Sequence, residues 1–161
     1  MIFVTVGTHE QPFNRLLKSV DELIKNHVIT EKVIMQTGYS TYKPKYAQTS
    51  KFIEYSEMNE LMTEARIVIT HGGPASFLDV ISKGKPPIVV PRQLKFQEHV
   101  NDHQVIFTEQ VMKKGYPLKR VLNIENLGNI IENYDDLSTI NMTSHNDQFV
   151  TNLEKIVDGL F

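Results

Sequence analysis

The chain is predicted to fold as an α/β domain with a Rossmann-like, doubly wound parallel sheet of about six strands. Three observations predict it. Strand-like and helix-like segments alternate from the N-terminus onward. The strands are short and continuously apolar, as in Ile2–Val6 and Ile67–Ile69, the character of a sheet covered on both faces. Two turns bearing glycine, Gly7-Thr8-His9-Glu10 and His71-Gly72-Gly73-Pro74, each follow a strand and lead into a helix.

Ile2–Val6 is an apolar strand ended by Gly7. From Pro12 to about Asn26 the residues Phe13, Leu16, Leu17, Val20, Leu23 and Ile24 recur at helical spacing. Val33–Gln36 is the second strand, and the polar run from Tyr39 to Ser50 is a loop. Lys51–Tyr55 is the third strand, with Phe52 and Tyr55 expected to pack in the core. Met58–Ala65 is a short helix whose start is favoured by Glu57 and Glu60. Arg66–Thr70 is the fourth strand. Pro74 opens a helix that Gly84 stops near Lys83. Pro87–Val90 is the fifth strand, and Glu98 to about Lys114 a helix stopped near Gly115. Arg120–Asn123 is a weak sixth strand, followed by a short helix around Glu125–Asn133. Asn133–Asn146 is polar. Gln148–Leu160 is a final helix carrying Phe149, Val150, Leu153, Ile156, Val157 and Leu160 on one stripe.

At 161 residues, positions 1–161 make one domain with one substantial core. A net charge of −2 and the lack of any basic tract argue against nucleic acid as a partner. Cysteine is absent, which excludes a disulfide framework and thiolate metal sites and fits the cytoplasm. No apolar run approaches the roughly 20 residues of a membrane span. Membrane association is therefore expected only through a partner.

In the strand order 3-2-1-4-5-6 the first and fourth strands lie side by side at the topological switch point, where such sheets bind ligands. Sequence order thus brings the Gly7 and His71 turns together. Glycines at Gly72 and Gly73 let backbone amides approach a ligand, and a helix start favours an anion. Ser76 and Asp79, three apart, share a helix face. Amides for phosphate and a carboxylate for ribose hydroxyls suit a nucleotide-sugar or a dinucleotide. Against the dinucleotide, and so against an oxidoreductase, the first turn is not Gly-x-Gly-x-x-Gly, and no acid ends the second strand as it should.

The spacing of His71, Gly73, Ser76 and Asp79 resembles the C-terminal, donor-binding half of GT-B glycosyltransferases of the family 28 type. Lys85-Pro86-Pro87-Ile88-Val89-Val90-Pro91 is similar to the proline-bounded strand of that family. The opening Val6-Gly7-Thr8-His9-Glu10-Gln11-Pro12-Phe13-Asn14-Arg15 and the segment from Pro91 to Gln104 resemble small catalytic subunits of two-component bacterial capsule and exopolysaccharide transferases. These are in turn similar to the catalytic subunit of the split eukaryotic N-acetylglucosaminyltransferase. The resemblance implies half of a GT-B fold and a UDP-sugar donor, with galactose the expected hexose. It further implies inversion at the transferred sugar, a lipid-linked saccharide acceptor, and a membrane-anchored, acceptor-binding partner subunit on the cytoplasmic membrane face. No cofactor and no metal are expected. The helix at about 147–160 is the candidate docking element for the partner. The competing reading is a non-catalytic nucleotide-binding subunit.

Residue by residue, Gly7 and Thr8 are expected at the phosphates. His9 and Glu10 are the candidate catalytic groups, His9 as a hydrogen-bond or proton donor near neutrality and Glu10 as a contact to an acceptor hydroxyl, while the base is His9, Glu10 or a residue of the partner subunit. Arg92 is expected to neutralise the diphosphate or an acidic acceptor. Gln97, Glu98 and His99 are assigned to the donor sugar's hydroxyls. His99 and His103 stand four apart like helical zinc ligands, but Val100 occupies the place of the required Glu and no third ligand follows. His103 and Gln104 are read as capping or packing residues.

Overall fold

The computed structural model describes residues 1–135. The expected helix at 148–160 and all but the first three residues of the polar stretch before it lie outside the described residues. In chain order the elements are β1 (Ile2–Thr5), α1 (Asn14–Lys25), β2 (Val33–Gln36), β3 (Gln48–Ser50), α2 (Tyr55–Glu64), β4 (Ile67–His71), α3 (Pro74–Ser82), β5 (Ile88–Val90), α4 (His103–Lys113), β6 (Lys119–Arg120) and α5 (Leu127–Glu132). Short 3-10 turns at Leu94–Phe96 and Ile124–Asn126 precede α4 and α5.

The sheet is parallel throughout, in the order β3-β2-β1-β4-β5-β6. That is the doubly wound order, with its switch point between β1 and β4. The register pairs Ile2 with Ile67 and Thr5 with Thr70, so the turns after Thr5 and His71 leave the sheet side by side.

Strand residues alternate between two cores. Ile2, Val4, Val6, Ile67, Ile69, Ile88 and Val90 meet Leu16, Leu17 and Val20 of α1 and Leu127 and Ile131 of α5. On the other face Phe3 and Val68 pack with Met62 of α2 and Val80 of α3, while Val89 packs with Phe77, Ile81, Phe107 and Val111. Burial on both faces explains why the central strands read as continuous apolar runs.

Several boundaries differ from expectation: α2 starts at Tyr55 and not Met58, β6 is Lys119–Arg120 and not Arg120–Asn123, and two differences are larger. The third strand is Gln48–Ser50, not Lys51–Tyr55, because an exposed edge strand needs no apolar side chains. Phe52 and Tyr55 are accordingly exposed, at 45% and 79%, rather than in the core. The helix expected from Glu98 begins only at His103, because the segment before it wraps around the buried Arg92.

The Tyr39–Tyr46 loop is pinned to α1 by Asp21, which is 2% exposed. Its carboxylate accepts from the Tyr42 hydroxyl at 2.6 Å and from the Lys45 and Tyr46 amides. Burial pushes that carboxyl up, but those donors outweigh burial and hold it below the ordinary Asp range. The Tyr42 hydroxyl is raised to about 12 by the same bond. Tyr134, in the stretch read as polar, is buried and donates to the Pro86 carbonyl at 2.8 Å.

Candidate active site

The site is built on the His71 ring. Gly7 has φ +77°, and a Cβ there would lie 2.4 Å from His71 Nε2. A Cβ on Gly73 would lie 2.1 Å from His71 Cε1. Both turns therefore need glycine to close on one imidazole, a packing role that precedes any ligand approach. The Gly73 amide donates to His71 Nδ1 at 3.0 Å, which leaves the proton on Nε2, directed to Ser76 Oγ at 3.2 Å. Burial, with Arg92, His99 and His9 nearby, depresses the imidazole to about 3, so it is neutral at pH 7.

The turn offers fewer free amides than expected. Gly72 N–H is held by Gln104 Oε1 at 2.9 Å, and the same oxygen takes Arg92 N–H at 2.9 Å. Gly73 N–H is taken by His71, and Pro74 has none. Ser76 and Phe77 N–H turn back to the Gly73 carbonyl at 3.2 and 3.4 Å. Among the described residues the Ala75 amide alone in this first turn of α3 stands without a protein acceptor. It lies beside the Ser76 hydroxyl at the positive end of the helix. Asp79 follows one turn later, 30% exposed, and accepts from Lys83 at 3.0 Å.

A cavity of about 430 Å3 opens between α3 and α4, lined by Gly72, Gly73, Pro74, His99, Asn101, His103, Gln104, Ile106, Phe107 and Gln110. Its polar side chains and apolar wall suit a small polar ligand of sugar size. Gln104, read from sequence as packing, is the hub joining the turns after β4 and β5. Nothing in its spacing announced that role.

Of the other expected site residues, Thr8 and Glu10 are exposed on the Gly7 turn and His9 is half-buried. His9 stacks on His99, with centroids 4.3 Å apart and planes at 15°. Burial, then His9 and Arg92, push the His99 imidazole below its usual range. Gln97 is exposed in a left-handed conformation, φ +58°.

Arg92 and Glu98 are placed differently from expectation. Arg92 is 0% exposed. It donates to the carbonyls of Val6 at 2.6 Å, Gln11 at 2.6 Å and Glu98 at 2.9 Å. Burial lowers it to about 10, against the pull of Glu98, so it stays charged at neutral pH. It braces the Gly7 turn against the β5–α4 segment and presents no free fork to a diphosphate. The Glu98 carboxylate is likewise spent, on Arg15 at 2.8 Å and the Gln93 amide at 3.1 Å. It is buried and is not among the residues that line the cavity between α3 and α4.

Among the described residues no group of three His, Asp or Glu stands ready to hold a metal ion, and no helix is long and apolar enough to cross a membrane.

The doubly wound sheet with its switch point between β1 and β4 is a Rossmann-like fold, the fold of one half of GT-B glycosyltransferases. Two solved structures support the fold assignment. The glycotransferase of kitacinnamycin aligns at TM-score 0.60 and 14% identity, covering 98% of this chain and 39% of that one. The glycosyltransferase SnogD from Streptomyces nogalater aligns at TM-score 0.53 and 15% identity, covering 99% and 43%. The glycosyltransferase family 28 C-terminal domain matches residues 1–157, and this chain belongs to that family. The UDP-N-acetylglucosamine transferase subunit ALG13 of Homo sapiens is 32% identical over 71% of this chain, and that of Mus musculus 31% over 71%. The Yarrowia lipolytica subunit is 26% identical over 73% of the chain. The chain spans 10% of the human and mouse proteins and 63% of the yeast one.

Proposed function

We propose that this chain is the donor-binding, catalytic half of a two-chain transferase that moves a sugar from a UDP-sugar to a lipid-linked saccharide. One observation carries the reading. Two glycine turns, from β1 and β4, close on a neutral histidine beside a helix start and a cavity of sugar size. The Ala75 amide and Ser76 hydroxyl are offered to the diphosphate, Asp79 to the ribose hydroxyls, and the cavity to the donor sugar with His99 on its wall. Thr8 and the Gly7 turn face the same diphosphate. Exposed Phe52 is available to flank the base.

The reaction is an inverting displacement. The acceptor hydroxyl forms the new bond to the anomeric carbon as the bond to the diphosphate breaks. Its proton passes to a base, and UDP leaves with the electron pair. The dipole of the α3 start stabilises that leaving group, and the buried Arg92 adds positive potential from behind the Gly7 turn without touching it.

The relatives' names favour N-acetylglucosamine over galactose as the sugar, and their description as a subunit supports a partner chain. The capsule and exopolysaccharide setting, the membrane-anchored partner, the cytoplasmic location and metal-independent transfer belong to the same proposal, supported by the resemblance of the first and fifth strand turns. Docking of the partner on the segment at about 147–160, whose apolar spacing predicts a helix, is part of it.

The test is a calorimetric titration of the purified chain with UDP-N-acetylglucosamine, UDP-galactose and NAD. Saturable binding that is tightest for UDP-N-acetylglucosamine is expected. Preference for UDP-galactose replaces the donor sugar, and preference for NAD overturns the reading in favour of a dinucleotide site.

A further inference from the structure

His9 is held on two sides. One ring face lies against His99 at 4.3 Å. Its Nε2 lies 2.9 Å from Gln11 Oε1. The Gln11 amide nitrogen donates in turn to the Gln97 carbonyl at 3.2 Å.

This relay has one consistent direction. A backbone carbonyl only accepts, so the Gln11 amide must turn its nitrogen to Gln97 and its oxygen to His9. That oxygen also only accepts, so in the neutral ring the proton sits on His9 Nε2. Nδ1 is left with the lone pair.

Both ends of the relay are fixed from within the fold. One guanidinium nitrogen of Arg92 holds the Gln11 carbonyl at 2.6 Å and the Glu98 carbonyl, next to Gln97, at 2.9 Å. The left-handed backbone of Gln97, φ +58°, is an unfavourable conformation for a residue with a side chain. It persists at the residue whose carbonyl orients Gln11.

We propose that Gln11 is a positioning residue that sets the tautomer of His9, so that His9 Nδ1 is the base that takes the acceptor hydroxyl's proton. The inference rests on the transfer proposed above. In that step the acceptor oxygen bonds to the anomeric carbon, the bond to the diphosphate breaks with its electron pair on UDP, and the proton moves to Nδ1. The resulting imidazolium keeps its Nε2–H bond to Gln11 and later returns the proton to solvent. The arrangement follows the general pattern of a base oriented by a third group. The titratable and charged groups near the ring include His99, His71, the adjacent Glu10 and, through the Gln11 carbonyl, Arg92. Burial first lowers both neighbouring imidazoles, His71 to about 3 and His99 below its usual range, which disfavours either as a cation partner for the relay.

Nitrogen NMR of the histidine rings in the full chain tests this without donor or acceptor, the His9 signals being assigned by their loss in His9→Asn. The expected wild-type spectrum shows His9 protonated at Nε2 and bare at Nδ1. Gln11→Ala is expected to mix the two tautomers and to lower kcat about ten- to a hundred-fold, with donor KM nearly unchanged. Gln11→Glu keeps an acceptor oxygen facing Nε2 and is expected to retain the tautomer. A wild-type His9 protonated at Nδ1 overturns the proposal even if Gln11→Ala does not fold. So does a tautomer ratio that Gln11→Ala leaves unchanged. Because no nucleotide is needed, these outcomes are separate from the UDP-sugar titration, which can fail or succeed independently.

Discussion

Replacing Gly7 by Ala isolates the contact on which the site is built. The residue has φ +77°, and the left-handed conformation costs an L-residue about 1–2 kcal/mol. The new Cβ would lie 2.4, 2.7 and 2.9 Å from three atoms of the His71 ring. That ring cannot swing away freely, because the Gly73 amide and Ser76 hydroxyl hold it at 3.0 and 3.2 Å. Overpacking of this kind costs about 1–3 kcal/mol. The expected total is about 2–5 kcal/mol, or a fall in Tm of about 5–15 °C. Gly84→Ala is the internal control. Its φ is +81° but nothing lies within 4 Å of the added Cβ, so only the conformational part should appear. Chemical denaturation of the two variants, and of Gly7→Ala combined with His71→Ala, completes the measurement. The combined variant should show a coupling of at least about 1 kcal/mol, because removing the ring relieves the clash and not the backbone strain. Equal losses at Gly7 and Gly84, with additivity between Gly7 and His71 to within about 0.5 kcal/mol, would refute the wedge.

Other consequences follow from the same geometry. Arg92→Met strands the carbonyls of Val6, Gln11 and Glu98 and should cost about 3–5 kcal/mol in urea denaturation; a loss under about 1 kcal/mol would contradict its bracing role. His71 is neutral when folded, with its pKa lowered from 6.5 to about 3, so the unfolded chain binds the extra proton. Stability should therefore fall as pH drops from 6.5 toward about 3, at up to about 1.4 kcal/mol per pH unit from this group. His99 adds in the same direction, and the lowered Asp21 and Glu31 carboxyls extend the loss at lower pH. His71→Asn should flatten the slope between pH 6.5 and 4.5 measured by denaturant midpoints, and an unchanged slope would count against the buried neutral ring.

What the sequence made legible was the part governed by apolar pattern and turn chemistry. Ile2–Val6, Val33–Gln36 and Ile67–Thr70 announce buried parallel strands, and their order places the Gly7 and His71 turns together. The polar edge strand Gln48–Ser50 carries no hydropathy signal, so the apolar residues just after it drew the assignment instead. The burial of Arg92 and Glu98 is illegible in the sequence for a related reason. A charged residue in a loop reads as exposed, and only the three-dimensional path of the β5–α4 segment shows that carbonyls and an arginine surround them. The turns require glycine first for packing and only then for ligand approach. Gly7 and Gly73 admit the His71 ring, and the amides of Gly72 and Gly73 are bonded within the protein. Gln11 and Gln104 gave no signal, since an amide's role as a relay depends on what stands at both of its ends.

Asp79 and the α3 start are the proposed partners of the ribose and diphosphate of a UDP-sugar. The most direct test is a titration of wild-type and Asp79→Ala chains with UDP and with UDP lacking the ribose hydroxyls. A charged hydrogen bond of about 1.5–3 kcal/mol predicts that wild type prefers intact UDP by roughly ten- to a hundred-fold. Asp79→Ala should bind the two nucleotides nearly equally. Failure of the wild-type chain to bind UDP, or an Asp79→Ala chain that discriminates between them as strongly as wild type, would contradict the account.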